Sequence, residues 1–350
     1  MDKARYSELI QEQCRILPDY VSEFAITKRS SVKTMYQYVC EIRRFFVWLI
    51  EAGISNTSST KDISLETLEK LQKRDVELYI DYLQNRVNYQ NKYDNPRTIN
   101  RSINALRSLF KFLTVTSEKD NGEPYFYRNV MQKVAVLPES QTLQYRAHQI
   151  ESKIYSGEIK HDFLAFLENE DGYEAKLKSN REKSAFKRVK DRNIAIIALM
   201  LGTGVRVSEA VNVNMSDLDV ERATLQILRK GGQLDAVPIA EWCLPHMEAY
   251  LQDRKAIGKS VKPLFISFYA KEYRRLSVKA VENFIATYSS AFGRPITPHK
   301  LRHTLATELY EQTKDLVLVS QQLGQRGTSA TKLYTHVGDE KQRNALNKIK

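Results

Sequence analysis

Apolar residues recur at intervals of three and four along much of the chain, the period of a helix with one buried face. From Ser31 to Ile50 the stripe is Tyr36, Val39, Cys40, Phe46, Val47 and Ile50, with Arg43 and Arg44 interleaved. Residues 6 to 28 predict one or two helices broken at Pro18. Leu65 to Asn85 predicts another, beyond a polar loop from Gly53 to Ile63. Asn95-Pro96-Arg97-Thr98 is a helix start. Behind it Ile99, Ile103, Leu106, Leu109, Phe110 and Leu113 turn inward, while Arg97, Arg101, Arg107 and Lys111 turn outward. The period weakens from 115 to 160, so the boundary between two domains belongs there.

A second helical region opens near Tyr155 with Phe163, Leu164, Phe166 and Leu167. Asn169 to Lys190 is charged enough to read either as an exposed loop or as a solvated helix. The apolar run Ile194 to Leu201 is long enough for a buried helix, which Gly202 and Gly204 then end. Strand-like runs from Thr224 to Leu228 and from Leu234 to Ile239 flank Lys230-Gly231-Gly232, a hairpin signal with the lysine at its tip. Thr297 and Pro298 suit the cap and first position of a helix running through Leu301, Leu305 and Leu309, which face the core. The fold class predicted is mainly α with a small β-sheet. Its parts are a helical domain over 1–135, a linker over 136–155, and a mixed α/β domain with a C-terminal tail over 156–350.

Length supports that division, because 350 residues exceed one small core. Charge adds a class of partner. Lys and Arg outnumber Asp and Glu by 54 to 42, giving +12 and a pI of about 9.4, which suits a polyanion such as DNA without separating it from RNA or an anionic surface. Cys14, Cys40 and Cys243 are too few and scattered for a disulfide framework or a zinc knot, and read as ordinary buried or half-buried thiols. No apolar run approaches ~18 residues and no leader-like apolar segment follows Met1, so a soluble, cytoplasmic protein without a membrane segment is expected. Ile257-Gly258-Lys259-Ser260 ends like a phosphate-binding loop, but Asp253 stands where that motif needs glycine.

The candidate chemistry lies between Gly202 and Tyr334. His299 and Arg302 are three apart on one helix face, so an imidazole that exchanges protons and a two-pronged guanidinium aim at one place. Arg206 opens the helix after Gly204, where backbone N–H groups favour an anion, and Glu209 one turn on reads as a partner that orients an arginine. His299 and His303 have the spacing of a helical zinc pair, yet the cations Lys300 and Arg302 between them argue against a metal. A phenol with a pKa near ~10 needs a base and a positive surround to act as a nucleophile. Any one of 19 tyrosines is usually packing; its place after Arg206, Lys230, His299 and Arg302 singles out Tyr334.

The motifs Thr203-Gly-Val-Arg206-Val-Ser-Glu209, Lys230-Gly with Val237-Pro238, His299-Lys-Leu-Arg302-His303, and Leu323-Gly324 ahead of Tyr334 resemble, in order and spacing, those of the tyrosine recombinases, the phage integrase family. The likeness is strong from about Asp191 to Val337 and weaker elsewhere. It implies a helical SAM-like core-binding domain, with Arg43, Arg44, Arg97, Arg101, Arg107 and Lys111 as DNA-binding candidates, followed by a mixed α/β catalytic domain. Tyr334 would form a 3′-phosphotyrosyl bond and Arg206 and Arg302 would neutralise the non-bridging oxygens. Lys230 would protonate the departing 5′-oxygen and His299 would help deprotonate the phenol. Gln325 would brace the phosphate where the family usually has His or Trp. Gln233 and Asp235 replace basic residues frequent after the lysine, so a weaker grip at this turn is expected.

The resemblance further implies double-stranded DNA as partner and a homotetramer on two DNA sites. The chain end, with Ala345, Leu346 and Ile349, would pack on a neighbour or fold back on its own domain. It calls for no cofactor and no metal, since arginines carry the charge Mg²⁺ supplies elsewhere and the covalent link conserves the phosphodiester energy. The first fifty residues are similar to the single-protein Xer enzymes of the family, which implies chromosome dimer resolution at a dif-like site and leaves room for an accessory cell-division or DNA-translocation protein. A mobile-element integrase, a type IB topoisomerase-like enzyme and a DNA-binding regulator with a relict site remain as alternatives.

Overall fold

The computed structural model describes residues 3–27, 31–87, 92–138, 141–229, 232–258, 260–325, 327–328, 331–336 and 347. The chain divides into two compact units, Met1–Ser140 and Gln141–Lys350.

The first unit is helical: α1 (Lys3–Cys14), α2 (Asp19–Thr27), α3 (Val32–Glu51), α4 (Leu65–Lys70), α5 (Lys73–Asn85) and α6 (Pro96–Lys111). Pro18 separates α1 from α2 as its fixed φ requires. The span 65–85, expected as one helix, is two. Leu71 leaves helical backbone, and the Asp75 carboxylate restarts it by accepting the Gln72 N–H at 2.8 Å. α6 begins where Asn95 Oδ1 accepts the Thr98 N–H at 2.9 Å, with Pro96 in its first turn. Its face of Ile99, Ile103, Leu106, Leu109 and Phe110 is buried against α3. The stripe of α3 lies partly on other positions than the period implied. Met35, Val39, Ile42, Phe45, Phe46, Trp48 and Leu49 are buried, Tyr36 and Cys40 are half-buried, and Val47 is exposed. Two adjacent rows of the wheel face inward, because α3 touches α1 and α6 at once.

One carboxylate lies inside this unit. Glu41 is buried and takes Arg101 Nε at 3.2 Å, Ser102 Oγ at 2.6 Å and the Arg44 guanidinium. A buried charge is tolerable only when its acceptor sites are filled this way.

The second unit contains α7 (Leu143–Glu151), α8 (Ile159–Glu168), α9 (Asn180–Lys187), α10 (Lys190–Thr203), α11 (Val207–Asn212), β1 (Leu218–Asp219), β2 (Thr224–Leu228), β3 (Leu234–Pro238), α12 (Leu244–Ala256), β4 (Ile266–Tyr269), β5 (Glu272–Arg275), α13 (Val278–Ala291), α14 (Pro298–Thr313) and α15 (Leu316–Leu323). Strands β1, β2 and β3 form an antiparallel sheet in that order, and β4 pairs with β5 in a separate hairpin. α10 is the centre, buried from Asn193 to Thr203 and packed on α8, α12 and α14. Its end has two glycines for two reasons. A Cβ on Gly202 would sit 1.9 Å from Cys243 Sγ, and Gly204 holds φ at +66°, the left-handed cap.

Residues 143–151, within the span expected as linker, are helical: Ala147, Ile150 and Ile154 are buried with Leu333. Weak periodicity hid α7 because only one short face of it is covered. The charged stretch 169–190 resolves into a turn and α9, opened by Ser179 and Glu182 bonding each other's backbone N–H. It is pinned by Tyr173 and Phe186, rings 4.9 Å apart. All three cysteines are free, with Cys243 buried and the others half-buried. Among the described residues no helix is long and apolar enough to cross a membrane.

Candidate active site

Two helix ends and two helix starts build the site. α10 stops at Gly204, so the chain turns and α11 begins with Arg206 in the cap position, φ −71° and ψ 151°. Glu209 sits three residues on, and its carboxylate folds back. Oε2 accepts the Arg206 backbone N–H at 2.7 Å and Oε1 the Arg206 side chain at 2.7 Å. The carboxylate is buried while the guanidinium is 38% exposed, which leaves its outer edge to solvent. Glu209 therefore orients Arg206, as its spacing implied.

α14 opens at Pro298 with Thr297 in the cap position, although the threonine side chain makes no capping bond. The leucine stripe is not the buried face alone: Leu301 is buried, Leu305 and Leu309 only partly, and Arg302 is as deep as the core at 3% exposure. α14 is covered on two sides, so a helical period could not tell inside from outside. The Arg302 guanidinium donates to Gly204 O at 2.6 Å and to Leu323 O at 2.7 Å, the carbonyls that end α10 and α15. Among the described residues these two contacts use two of its five N–H groups. Burial, then the neighbouring Arg206, pulls its pKa down to about 10, with Glu209 opposing. Arg302 thus keeps its charge at neutral pH within electrostatic reach of Arg206.

Tyr334 lies in the turn Lys332–His336, and its ring is 2% exposed among Ala306, Val319 and Leu323. Its hydroxyl is 2.8 Å from Nδ1 of His303, not of His299. Burial raises the phenol to about 12, with Arg302 opposing. Burial, then His299, Lys300 and Arg302, lowers His303 to about 3, so its imidazole is neutral and shares a hydrogen bond with the phenol through Nδ1. His299 is exposed, with its ring 4.5 Å from that of His303. Desolvation, then Arg302, Lys300 and Arg206, lowers its pKa, so it too favours the neutral, proton-accepting form. The four groups Arg206, His299, Arg302 and Tyr334 are thus gathered, with His303 between the last three. The sequence had offered His303 as a rejected zinc ligand and as the last residue of a family motif, with no role in the reaction.

Gln325 follows α15. Its N–H bonds Ser320 O at 2.9 Å, and its side-chain Oε1 is buried with no hydrogen-bond partner among the described residues. Lys230 and the tail residues Ala345, Leu346 and Ile349 lie outside the described residues. The residue before the lysine is described. Arg229 is buried, with Nε 2.9 Å from Asp235, one terminal nitrogen 3.3 Å from Glu209 and the other donating to Gln322 O at 3.0 Å. Asp235, expected to weaken the hairpin's hold on phosphate, is instead the partner of this arginine. An Arg and an Asp on either side of a Gly-Gly turn were the only sequence signal for it.

The DNA-binding candidates of the first unit divide by partner. Arg43 reaches Gln13 at 3.1 Å and stays exposed, while Arg97 and Lys111 are exposed on α6. Arg44 and Arg101 hold Glu41. Arg107 does not face outward: it is half-buried, and its guanidinium closes on the Val134 carbonyl.

The model of the phage integrase family matches residues 174–341, the span that carries these groups. The chain belongs to that family, the tyrosine recombinases, and is an enzyme of DNA strand exchange. It is 44% identical over 353 residues to the tyrosine recombinase XerS of Streptococcus mutans, covering 98% of each chain. It is 42% identical over 359 residues to XerS of Lactococcus lactis, covering 100% of each. The similarity expected to the single-protein Xer type therefore extends over the whole chain. The fold also matches the XerH site-specific recombinase bound to palindromic difH substrate in a post-cleavage complex, with TM-score 0.64 at 18% identity, covering 91% of this chain and 79% of that one.

Proposed function

We propose that this Xer-type recombinase cuts and rejoins double-stranded DNA at a dif-like site through a covalent bond to Tyr334, and so resolves chromosome dimers. The observation that carries the reading is the gathering of Arg206, His299 and the Tyr334 phenol about Arg302, with the phenol held 2.8 Å from the neutral imidazole of His303. In the forward step the tyrosine oxygen bonds to phosphorus in line, and the bond from phosphorus to the 5′-oxygen breaks. The phenol proton passes to a histidine and the departing 5′-oxygen takes a proton from Lys230. Arg206 and Arg302 hold the two non-bridging oxygens, and Gln325 donates a carboxamide N–H to the same phosphate. Resealing is the reverse, with the 5′-hydroxyl of the partner strand as nucleophile.

A phenol that is 2% exposed cannot touch a duplex, so the turn 332–336 has to shift before attack. Binding to DNA as four protomers on two sites supplies an occasion for that shift, since it brings new surfaces to the end of the chain. The work belongs to the cytoplasm, where the chromosome is, and an accessory cell-division or DNA-translocation protein would time it. Arg43, Arg97 and Lys111 are the first unit's candidates for phosphate contacts.

A supercoiled plasmid with two direct copies of the site that the protein selects from a random pool tests this reading. Excision of a circle by the wild type, and none by Tyr334→Phe, is the expected result. Relaxation without excision would point to a topoisomerase-like enzyme, and binding with neither to a regulator.

A further inference from the structure

Arg229 has no place in the reaction just described, yet it is the most engaged arginine near it. Its side chain is 6% exposed, with Nε on Asp235 at 2.9 Å, a second nitrogen on Glu209 at 3.3 Å and the third on Gln322 O at 3.0 Å. Gly324 leaves room for it: at φ +57°, a Cβ there would lie 2.3 Å from Nε and 2.6 Å from Cζ. The guanidinium therefore packs flat on the turn that ends α15.

The Glu209 carboxylate is in ion-pair contact with two arginines. Arg206 takes Oε1 at 2.7 Å and Arg229 approaches Oε2 at 3.3 Å. Were Arg229 absent, the buried carboxylate would belong to Arg206 alone, and a closed ion pair attracts an anion weakly. With both arginines present, the three groups sum to one positive charge. Arg206 has the exposed edge, so the surplus is presented there. Asp235 offsets part of it through Nε, less than a buried carboxylate would, because its side chain is 38% exposed. Arg229 also holds the carbonyl next to the one that Arg302 holds, Gln322 beside Leu323, so both phosphate arginines are referred to one helix end.

We propose that Arg229 is a positioning residue that balances the charge of Glu209 and thereby leaves Arg206 free to neutralise the scissile phosphate; this rests on the transesterification proposed above. The test is single-turnover cleavage of a nicked duplex that the wild type selects from a random pool. It is synthesised with either an ordinary phosphate or a methylphosphonate at the scissile position. The methyl group removes one anionic oxygen and with it the demand for a counter-charge. On ordinary phosphate, Arg229→Gln should be slower by roughly tenfold to a hundredfold, the usual loss for a group that orients a working ligand. On at least one methylphosphonate diastereomer the difference should shrink to about threefold.

Arg229→Lys keeps the charge without the fork and should recover most of the rate on ordinary phosphate. The double variant Glu209→Gln/Arg229→Gln should cleave faster than Arg229→Gln, because the unbalanced carboxylate is gone. Equal losses on both substrates overturn the proposal, as does a double variant slower than the single one; either would make Arg229 a packing residue only. Arg229→Lys as slow as Arg229→Gln also overturns it. If Arg229→Gln does not fold, Arg229→Lys decides against the wild type: any loss on ordinary phosphate should shrink on the methylphosphonate, and a loss equal on both substrates overturns the proposal. Absence of a covalent adduct with the wild type removes the transesterification itself, whereas a wild-type adduct with undiminished Arg229→Gln cleavage removes only this inference.

Discussion

His303 and Tyr334 hold each other in a form that is stable and unreactive: a phenol raised to about 12 hydrogen-bonded to an imidazole lowered to about 3. The histidine has a consequence for stability. Its folded pKa lies below the 6.5 of the free side chain, so between those values the unfolded chain binds the extra proton. Stability should be complete above pH 6.5 and decline as the pH falls toward 3, by roughly 2 kcal/mol over the first two pH units. Thermal unfolding of the wild type from pH 7.5 to 4.5 should therefore fall more steeply than that of His303→Asn, and parallel curves would contradict the assignment. At this scale the sequence located Arg206, His299, Arg302 and Tyr334 by residue type and order. It gave the phenol His299 as its proton acceptor, whereas His303, one helical turn on, is the histidine within 2.8 Å of the hydroxyl, a contact that depends on where the turn 332–336 packs. Arg229 was missed because a buried arginine announces itself only through partners that are 20 and 93 residues away.

Elements that depend on a single local cause were legible, and those that depend on two-sided packing were not. α10 followed from its apolar run and its closing glycines, and α6 from Asn95-Pro96. The break between α4 and α5 and the buried depth of Arg302 needed the tertiary neighbours. The contact at Gly202 gives a sharp test at this scale. Gly202→Ala puts a methyl where Cys243 Sγ already is, so it should cost about 2–3 kcal/mol in the second unit. Adding Cys243→Ala removes that sulfur and should restore part of the loss, a coupling that denaturant titration of the two single variants and the double variant measures. In the first unit, Glu41→Gln withdraws the charge that Arg44 and Arg101 share. It should lower stability by about 1–3 kcal/mol, with DNA strand cleavage at saturating protein unchanged.

For the whole molecule the sequence anticipated two domains and a polyanionic partner. The fold's first unit ends near where periodicity faded, but α7 belongs to the second unit and packs on the tyrosine's turn. A net charge of +12 is spread over both units and cannot say which arginines meet phosphate. Partners can. Arg97 is exposed on α6, so Arg97→Ala should weaken binding to all duplexes alike and reduce the slope of log K against log salt by about 1. Arg107 closes on Val134, so Arg107→Ala should instead cost about 1 kcal/mol of stability and leave that slope unchanged.

The account stands or falls on Tyr334 as the atom that takes the DNA. The direct measurement is mass spectrometry of the protein after incubation with a nicked duplex of its selected site, followed by protease digestion. A nucleotide joined through its 3′-phosphate to the peptide containing Tyr334, absent from Tyr334→Phe although that variant still binds, is the predicted result. An adduct on any other residue, or an equal adduct yield from Tyr334→Phe, would contradict it.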